Sequence, residues 1–405
     1  MKKNKNSKKI SRKHMNIAQL HWGFPPIIGG VETHLTIIMP EMARLGHRVN
    51  LLTGTVDGAK VNDNYKGVGI HRTPMMDLNW LFKRGLFGLE NELKKVFNNF
   101  FSKVKPDVIH AHNMHYFSKI HAETLEKCAH KLGVPLVLTA HNVWDDVLFL
   151  ELTRDIKWSH FIAVSHFIKR ELIGAGIDDR EITTVHHGID TQIYKPNVKT
   201  NKILKKYPQL NNKRVIFHPA RMGLAKGCDV SIKALNIIKK SFPDILLVLA
   251  GTKNIIDWAG SHQKDIAYMV NLVKIFGLQK NVLIDTFTLE EVSEMYGVAK
   301  VCIYPSSSGE PFGLTMLESL ASGKPMIVTD SGGMPEIIQD GITGYVITIK
   351  NFEVLASRII QLLSDERLRR RLGYTGRQIV EKSFTKEIVT RSTIDIYKRL
   401  IKEKK

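Results

Sequence analysis

Glu310 and Glu318 stand eight residues apart on either side of a glycine turn, in the run Gly309-Glu310-Pro311-Phe312-Gly313-Leu314-Thr315-Met316-Leu317-Glu318. The turn opens a helix near Phe312. Carboxylates that accept from sugar hydroxyls would therefore lie beside unpaired backbone N–H groups at Gly313, Leu314 and Thr315, which attract a phosphate. Downstream come Ala321-Ser322-Gly323-Lys324-Pro325, a short apolar run, and Asp330-Ser331-Gly332-Gly333-Met334-Pro335-Glu336. The layout suits a ligand that is both sugar and phosphate. As the acid and nucleophile of a hydrolase the pair fits poorly: eight residues of helix rise about 12 Å, against roughly 5 to 9.5 Å between hydrolase carboxylates. Glu310 precedes the helix, so the spacing disfavours hydrolysis without removing it.

Arg221 and Lys226 follow the apolar run Val215 to Pro219, where loops at the carboxyl ends of a parallel sheet bind ligands. Each could donate charge-assisted hydrogen bonds of roughly 1.5 to 3 kcal/mol to a diphosphate. The helix dipole adds about 0.3 to 1 kcal/mol, rising to about 2 if buried. His141 closes the strand Leu136 to Thr139 and faces the same kind of cleft. His112 and His187 are lesser candidates among the 17 histidines. Gly29 and Gly30 fit a loop that lets a phosphate or an acceptor approach the next helix. They do not form G-x-G-x-x-G, so a dinucleotide site is a poor reading. Glu32 falls in a first helical turn, where an acid is favourable whatever the function, and is assigned no role. Asp-x-Asp occurs nowhere in the chain. A metal held on the diphosphate by such a pair is therefore not expected, and no cofactor is expected either.

The elements that must position these residues alternate strand and helix. Asn16 to Leu20 is a short apolar run; Val31, Leu35, Ile38, Met39, Met42 and Leu45 recur at helical spacing up to Gly46; Val49 to Thr53 is apolar again. Val108 to His110 and Leu136 to Thr139 extend the series into one Rossmann-like half. A second half begins near Arg214, with Val215 to Pro219, a helix from about Asp229, Ile245 to Ala250, Val282 to Ile284, Val301 to Tyr304 and Met326 to Thr329. The expected divisions are a basic tail at 1–14, a first domain at 15–195, a polar connection at 196–213, a second domain at 214–383 and a terminal helix at 384–405. Phe352 to Leu363 and Glu366 to Lys382 read as amphipathic helices. Ser383-Phe384-Thr385 offers a fresh cap before the last helix, which could cross back to the first domain.

With 405 residues, 43% of them hydrophobic, the chain can bury sizeable cores in two domains. Cys128, Cys228 and Cys302 are too scattered for a zinc spacing or a disulfide framework, and point to a reducing cytosol. Seven Lys or Arg and no acid fill the first fourteen residues, but no apolar segment follows as in a signal peptide. No run of 18 apolar residues exists to span a membrane. Of the net charge of +20, the first fourteen residues hold +7 and the last eight hold five bases and one acid, leaving +9 for the body. Solvated tails explain that distribution, and so does adsorption to anionic lipid at roughly 1 kcal/mol per basic residue. Nucleic acid is not an expected partner, since no recognised binding motif accompanies the charge.

The block Glu310 to Glu318, with Arg221, Lys226 and Gly29-Gly30, resembles the retaining glycosyltransferases of family 4. Further matches are Asp107 to His112, Leu138 to His141, Val164-Ser165, Val185 to Asp190, and Leu249-Ala250-Gly251. The resemblance covers nearly the whole chain. It implies the α/β GT-B fold, two Rossmann-like domains facing across a cleft, with a C-terminal helix returning to the first. It also implies a UDP- or GDP-sugar donor and transfer of a hexosyl unit to a hydroxyl acceptor with retained configuration. By the same resemblance Arg221 and Lys226 hold the diphosphate, Glu310 and His141 face the donor sugar, Glu318 accepts from the ribose, and Phe312 to Thr315 line the donor. A cell-envelope polysaccharide or glycolipid is the expected acceptor, with a small soluble one such as an inositol phosphate as the alternative. Other readings are a nucleotide-sugar epimerase of the same fold, a phosphorylase, which would need a pyridoxal-bearing lysine, and a non-enzymatic polyanion binder, which leaves the cleft motifs unexplained.

One region concerns the acceptor. Trp80, Phe82, Phe87, Val96, Phe97, Phe100 and Phe101 alternate with Lys83, Arg84, Lys94, Lys95 and Lys103. Such a segment can lie on an anionic membrane surface, making the protein cytoplasmic and peripheral; core packing with a solvated basic face produces the same pattern.

Overall fold

The computed structural model describes residues 14–144, 146–220, 222–251 and 261–404. The basic tail at 1–13 lies outside them.

The first half contains β1 (Asn16–Leu20), α1 (Gly30–Arg44), β2 (Arg48–Gly54), β3 (Asn62–Tyr65), β4 (Val68–Thr73), α2 (Leu78–Arg84), α3 (Glu90–Val104), β5 (Val108–His112) and α4 (Lys119–Leu132). It continues through β6 (Leu136–Ala140), α5 (Val147–Arg154), β7 (His160–Ala163), α6 (His166–Gly174) and β8 (Ile182–Thr184). Its sheet runs β3-β4-β2-β1-β5-β6-β7-β8, parallel except for the β3–β4 edge pair. Strands buried on both faces read as continuous apolar runs, which is why β6, Leu-Val-Leu-Thr-Ala, has all five residues buried.

The second half contains α7 (Asn201–Lys206), β9 (Arg214–His218), α8 (Cys228–Ser241), β10 (Ile245–Gly251), α9 (Ser261–Ile275), β11 (Val282–Thr286), α10 (Leu289–Val298), β12 (Val301–Tyr304), α11 (Leu314–Ala321), β13 (Met326–Thr329) and β14 (Gly344–Ile347). It closes with α12 (Phe352–Ser364), α13 (Glu366–Ser383) and α14 (Lys386–Glu403). Its parallel sheet runs β11-β10-β9-β12-β13-β14. Strand order reverses between β1 and β5 in one sheet and between β9 and β12 in the other. Ligands of open α/β sheets bind outside the carboxyl ends of the strands at such points.

The stretch expected as a plain connection is folded onto the second half. Ile203, Tyr207 and Leu210 are buried, the Ile203 N–H donates to Glu294 at 2.9 Å, and Tyr207 donates to Asp285 at 2.9 Å.

The chain returns to the first half through a short backbone splice. The Ile189 N–H donates to the Phe384 carbonyl at 2.8 Å and the Lys386 N–H to the Ile189 carbonyl at 3.0 Å, while the Thr385 hydroxyl caps α14. Val389, Ile394, Tyr397 and Leu400 then bury against Leu35, Ile38, Met39 and Met42 of α1. At about 1.5 to 3 kcal/mol for each fully buried side chain, that seam holds the terminal helix in place. The three cysteines are buried free thiols.

Candidate active site

The loop after β9 carries Lys226 and the loop after β12 carries Glu310. The two loops are stitched together: the Ser307 N–H and the Ser306 hydroxyl both donate to the Ala225 carbonyl at 2.9 Å. Gly227 makes the approach possible, since at φ +74° a Cβ there would stand 1.8 Å from the Pro305 carbonyl oxygen. Lys226 Nζ reaches Glu310 Oε2 at 2.6 Å, and the Tyr304 hydroxyl donates to the same oxygen at 2.6 Å. The ammonium also lies 5.6 Å from the centre of the Tyr304 ring. Arg221 is outside the described residues.

The Glu310 backbone is held from behind by the second glycine motif. Gly333 N–H donates to the Glu310 carbonyl at 2.8 Å, and a Cβ on Gly332, at φ +62°, would meet that oxygen at 2.2 Å. Gly313, at φ +88°, precedes α11. The N–H groups of Gly313, Leu314 and Thr315 have no hydrogen-bond partner among the described residues, so a helix end is open to an anion beside Lys226. Glu318, one turn into α11, has partners other than those of Glu310. Its carboxylate accepts from the Tyr296 hydroxyl at 2.8 Å and is also hydrogen-bonded by Tyr194. Burial raises its pKa, partly offset by the two phenols. A carboxylate has about four acceptor sites, so two phenols leave it able to accept from a ribose hydroxyl.

Across the cleft, histidines from α1, β5, the residue after β6 and the loop after β8 form a buried cluster. His112 Nδ1 and His141 Nε2 are 2.9 Å apart, and His141 Nδ1 and His187 Nε2 are 3.0 Å apart. Both ring nitrogens of His141 are thus occupied by other histidines. His34 stacks on His187 with centroids 4.3 Å apart. Burial pushes the pKa of His34 down to about 3 and those of His112, His141 and His187 well below the usual histidine value. His34, His141 and His187 each place one ring nitrogen within 4.8 Å of the others, but a metal there would have to take a His141 nitrogen that is bonded to His112 or His187.

Gly29 N-caps α1, and Glu32 curls back over it: a Cβ on Gly29 would stand 2.3 Å from Glu32 Oε2. The other Glu32 oxygen pairs with His21 Nε2 at 3.0 Å. Burial raises the Glu32 pKa, but the His21 hydrogen bond and charge outweigh it and hold the carboxyl low. Position in the first turn gave no sign of this partner. Gly30 faces open space.

Residues beside Glu310 also join the two halves. The Ser165 hydroxyl donates to the Pro311 carbonyl at 2.6 Å, and the Phe312 ring sits 5.0 Å from His187 and 5.5 Å from His186. Glu336 accepts from the N–H groups of His166 and Phe167 at 2.8 and 2.7 Å and pairs with His186 at 3.1 Å. It therefore caps α6 from the opposite domain; burial raises its pKa, and these bonds more than reverse the rise.

Two Rossmann-like sheets with a cationic, carboxylate-bearing cleft define an α/β transferase of the GT-B architecture. The particular family follows from two profiles: Glycosyltransferase Family 4 matches residues 28–193, and Glycosyl transferases group 1 matches residues 199–379. The chain belongs to the group 1, family 4 glycosyltransferases. It is 23% identical to an uncharacterized glycosyltransferase from Methanocaldococcus jannaschii over 95% of this chain and 98% of that one. It is 24% identical to N-acetyl-alpha-D-glucosaminyl L-malate synthase from Bacillus anthracis, covering 94% and 96%. The fold is that of the Anabaena protein HepE solved in complex with UDP and glucose, with a TM-score of 0.76, 19% identity, and coverage of 96% and 100%.

Proposed function

We propose that this glycosyltransferase moves a hexosyl unit from a UDP- or GDP-sugar to a hydroxyl acceptor, with retained configuration and without a metal. The observation that carries the reading is the Lys226–Glu310–Tyr304 group beside the unpaired N–H groups of α11, at the strand-order reversal of the second sheet. A diphosphate fits the cation and the helix end; a sugar ring fits the carboxylate. The Anabaena neighbour, solved with UDP and glucose, supports a nucleotide-sugar donor.

In this reading the bond from the anomeric carbon to the phosphate oxygen breaks while the acceptor oxygen attacks from the same face. The acceptor proton passes to the departing phosphate. Lys226, with Arg221, stabilises the charge that develops on it. No cofactor takes part. The experiment is incubation with labelled UDP-glucose, UDP-N-acetylglucosamine and GDP-mannose. Acceptor-dependent donor breakdown is the expected result; reversible isomerisation of the donor, or binding alone, would refute transfer.

The acceptor we favour is a lipid-linked glycan at the cytoplasmic face of a membrane. Among the described residues no helix is long and apolar enough to cross one. Phe97, Phe100 and Phe101 pack into the core, but Phe82 and Phe87 are 56% and 98% exposed next to Lys83 and Arg84. Two aromatic rings among bases suit an anionic interface. Sedimentation with phosphatidylglycerol vesicles, lost in Phe82→Ser/Phe87→Ser, tests it; failure to bind at any salt concentration would remove it.

A further inference from the structure

A chain of hydrogen bonds starts on the C-terminal helix and ends at the buried His187, beside Phe312 of the second half. The buried Tyr397 hydroxyl accepts from Gln19 Nε2 at 3.2 Å; Gln19 Oε1 lies 2.8 Å from His112 Nε2; the His112–His141 and His141–His187 contacts follow. At the far end, His187 Nδ1 is buried and has no hydrogen-bond partner among the described residues.

The direction of this chain is set at the glutamine. Its amide nitrogen also faces the Met42 sulfur at 3.9 Å, a group that can only accept, so the NH₂ belongs there and the carbonyl is turned to His112. A carbonyl only accepts, so His112 carries its proton on Nε2. Two imidazoles at hydrogen-bond distance need one N–H and one lone pair between them, and a neutral ring has one of each. His112 Nδ1 is then the lone pair and His141 donates from Nε2. His141 Nδ1 is the next lone pair and His187 donates from Nε2. One lone pair is left over, on His187 Nδ1.

We infer that Gln19 and Tyr397, acting through His112 and His141, hold His187 as an obligate hydrogen-bond acceptor that selects and orients a sugar hydroxyl in the cleft. A buried lone pair without a donor is unfavourable. Phosphate oxygens have no proton to offer it, whereas a hexose hydroxyl does. His34, stacked on His187 with its own Nδ1 unpartnered, flanks the same spot. His141 is then a positioning residue rather than the group that meets the sugar. The identity of the ligand rests on the glycosyl-transfer reading; the tautomers do not.

Two measurements separate these parts. Long-range ¹H–¹⁵N spectra of the ligand-free protein with labelled histidine should show His112, His141 and His187 protonated on Nε2, and Tyr397→Phe should disturb that pattern. With whichever of UDP-glucose, UDP-N-acetylglucosamine or GDP-mannose is turned over, His187→Leu should lower kcat/KM about tenfold or more. His187→Gln, which keeps an acceptor, should recover most of the loss. One monodeoxy analogue of that donor should be nearly insensitive to His187→Leu. A His187 protonated on Nδ1 overturns the inference, as does equal sensitivity of every deoxy analogue. So does stoichiometric Zn²⁺ binding by the protein that His34→Gln abolishes, which would make the cluster a metal site. If no donor is turned over, the functional reading falls and the spectra still decide the tautomers.

Discussion

Lys226 is not a free cation waiting for phosphate, and that decides how its removal should look. Its ammonium is 2.6 Å from Glu310 Oε2, with side-chain exposures of 25% and 15%. A charge-assisted hydrogen bond in such surroundings is worth about 1.5 to 3 kcal/mol. At 1.36 kcal/mol per decade that corresponds to roughly 10- to 150-fold. An arriving diphosphate competes with Glu310 for the lysine, so part of this energy is present before the donor binds. Lys226→Ala therefore loses the phosphate contact and leaves Glu310 without its cation. We expect kcat/KM to fall at least about tenfold, with the loss in kcat, because charge on the phosphate grows as the bond to the sugar breaks. Glu310→Gln releases the lysine: donor KM should hold or improve while kcat falls about tenfold or more. Initial rates of nucleotide release across donor concentrations give both constants, and circular dichroism checks folding. Near-native turnover in both variants would refute the assignment of this pair.

Three further outcomes follow from the same structure. Transfer should proceed undiminished in excess EDTA if, as proposed, Lys226 and the open end of α11 take the place of a metal on the diphosphate; abolished turnover would refute this. Gly227→Ala should cost several kcal/mol, or prevent folding, because both its φ of +74° and the 1.8 Å approach to a backbone oxygen exclude a Cβ; an unchanged thermal midpoint would contradict the stitching of the two loops. Stability should fall as pH drops below about 6.5. His34 and His110 are pushed down to about 3, and His115 and His121 to about 4, all by burial, so between those values and 6.5 the unfolded chain binds protons that the folded one does not. Each group contributes a slope of up to about 1.4 kcal/mol per pH unit in that window. Urea unfolding at pH 7, 6 and 5 measures it, and a flat profile would show that these rings are not buried neutral.

Legibility in the sequence followed the range over which each feature is encoded. The strands could be read because a parallel strand covered on both faces is a short unbroken apolar run, as in Val301 to Tyr304. The loop motif at Glu310 could be read because glycine turns have few substitutes. That it shares a site with Lys226 came from family likeness instead of pattern, and the direct pairing of the two, 84 positions apart, was not foreseen. The histidine chain draws on Gln19, His112, His141, His187 and Tyr397, the first and last 378 positions apart. One local sign of it existed: His110 and His112 alternate along β5, which sets both rings on one face, with centroids 4.1 Å apart. Glu32 was hidden because a first-turn acid is favourable on any helix. The buried anchors of the 196–213 segment were hidden among its lysines.

The placement of Glu310 between Pro311–Phe312 and the glycine pair gives one chain segment two duties. Its carboxylate faces the cation that a diphosphate would meet, while the next two residues are held by Ser165, His186 and His187 of the other domain. A donor that displaces Lys226 from Glu310 must therefore act on a loop whose neighbours set the domain contact. Glu336 adds to this coupling, because the glycine pair that presses on Glu310 leads directly into the residue that caps α6 across the interface. Burying neutral histidines on the facing side serves the same arrangement. A lysine or arginine there would repel the opposing cation, whereas an uncharged acceptor such as His187 can meet a hydroxyl without competing for the diphosphate. On the proposed reading the cleft separates its two tasks by domain, charge on the second half and uncharged hydrogen bonding on the first.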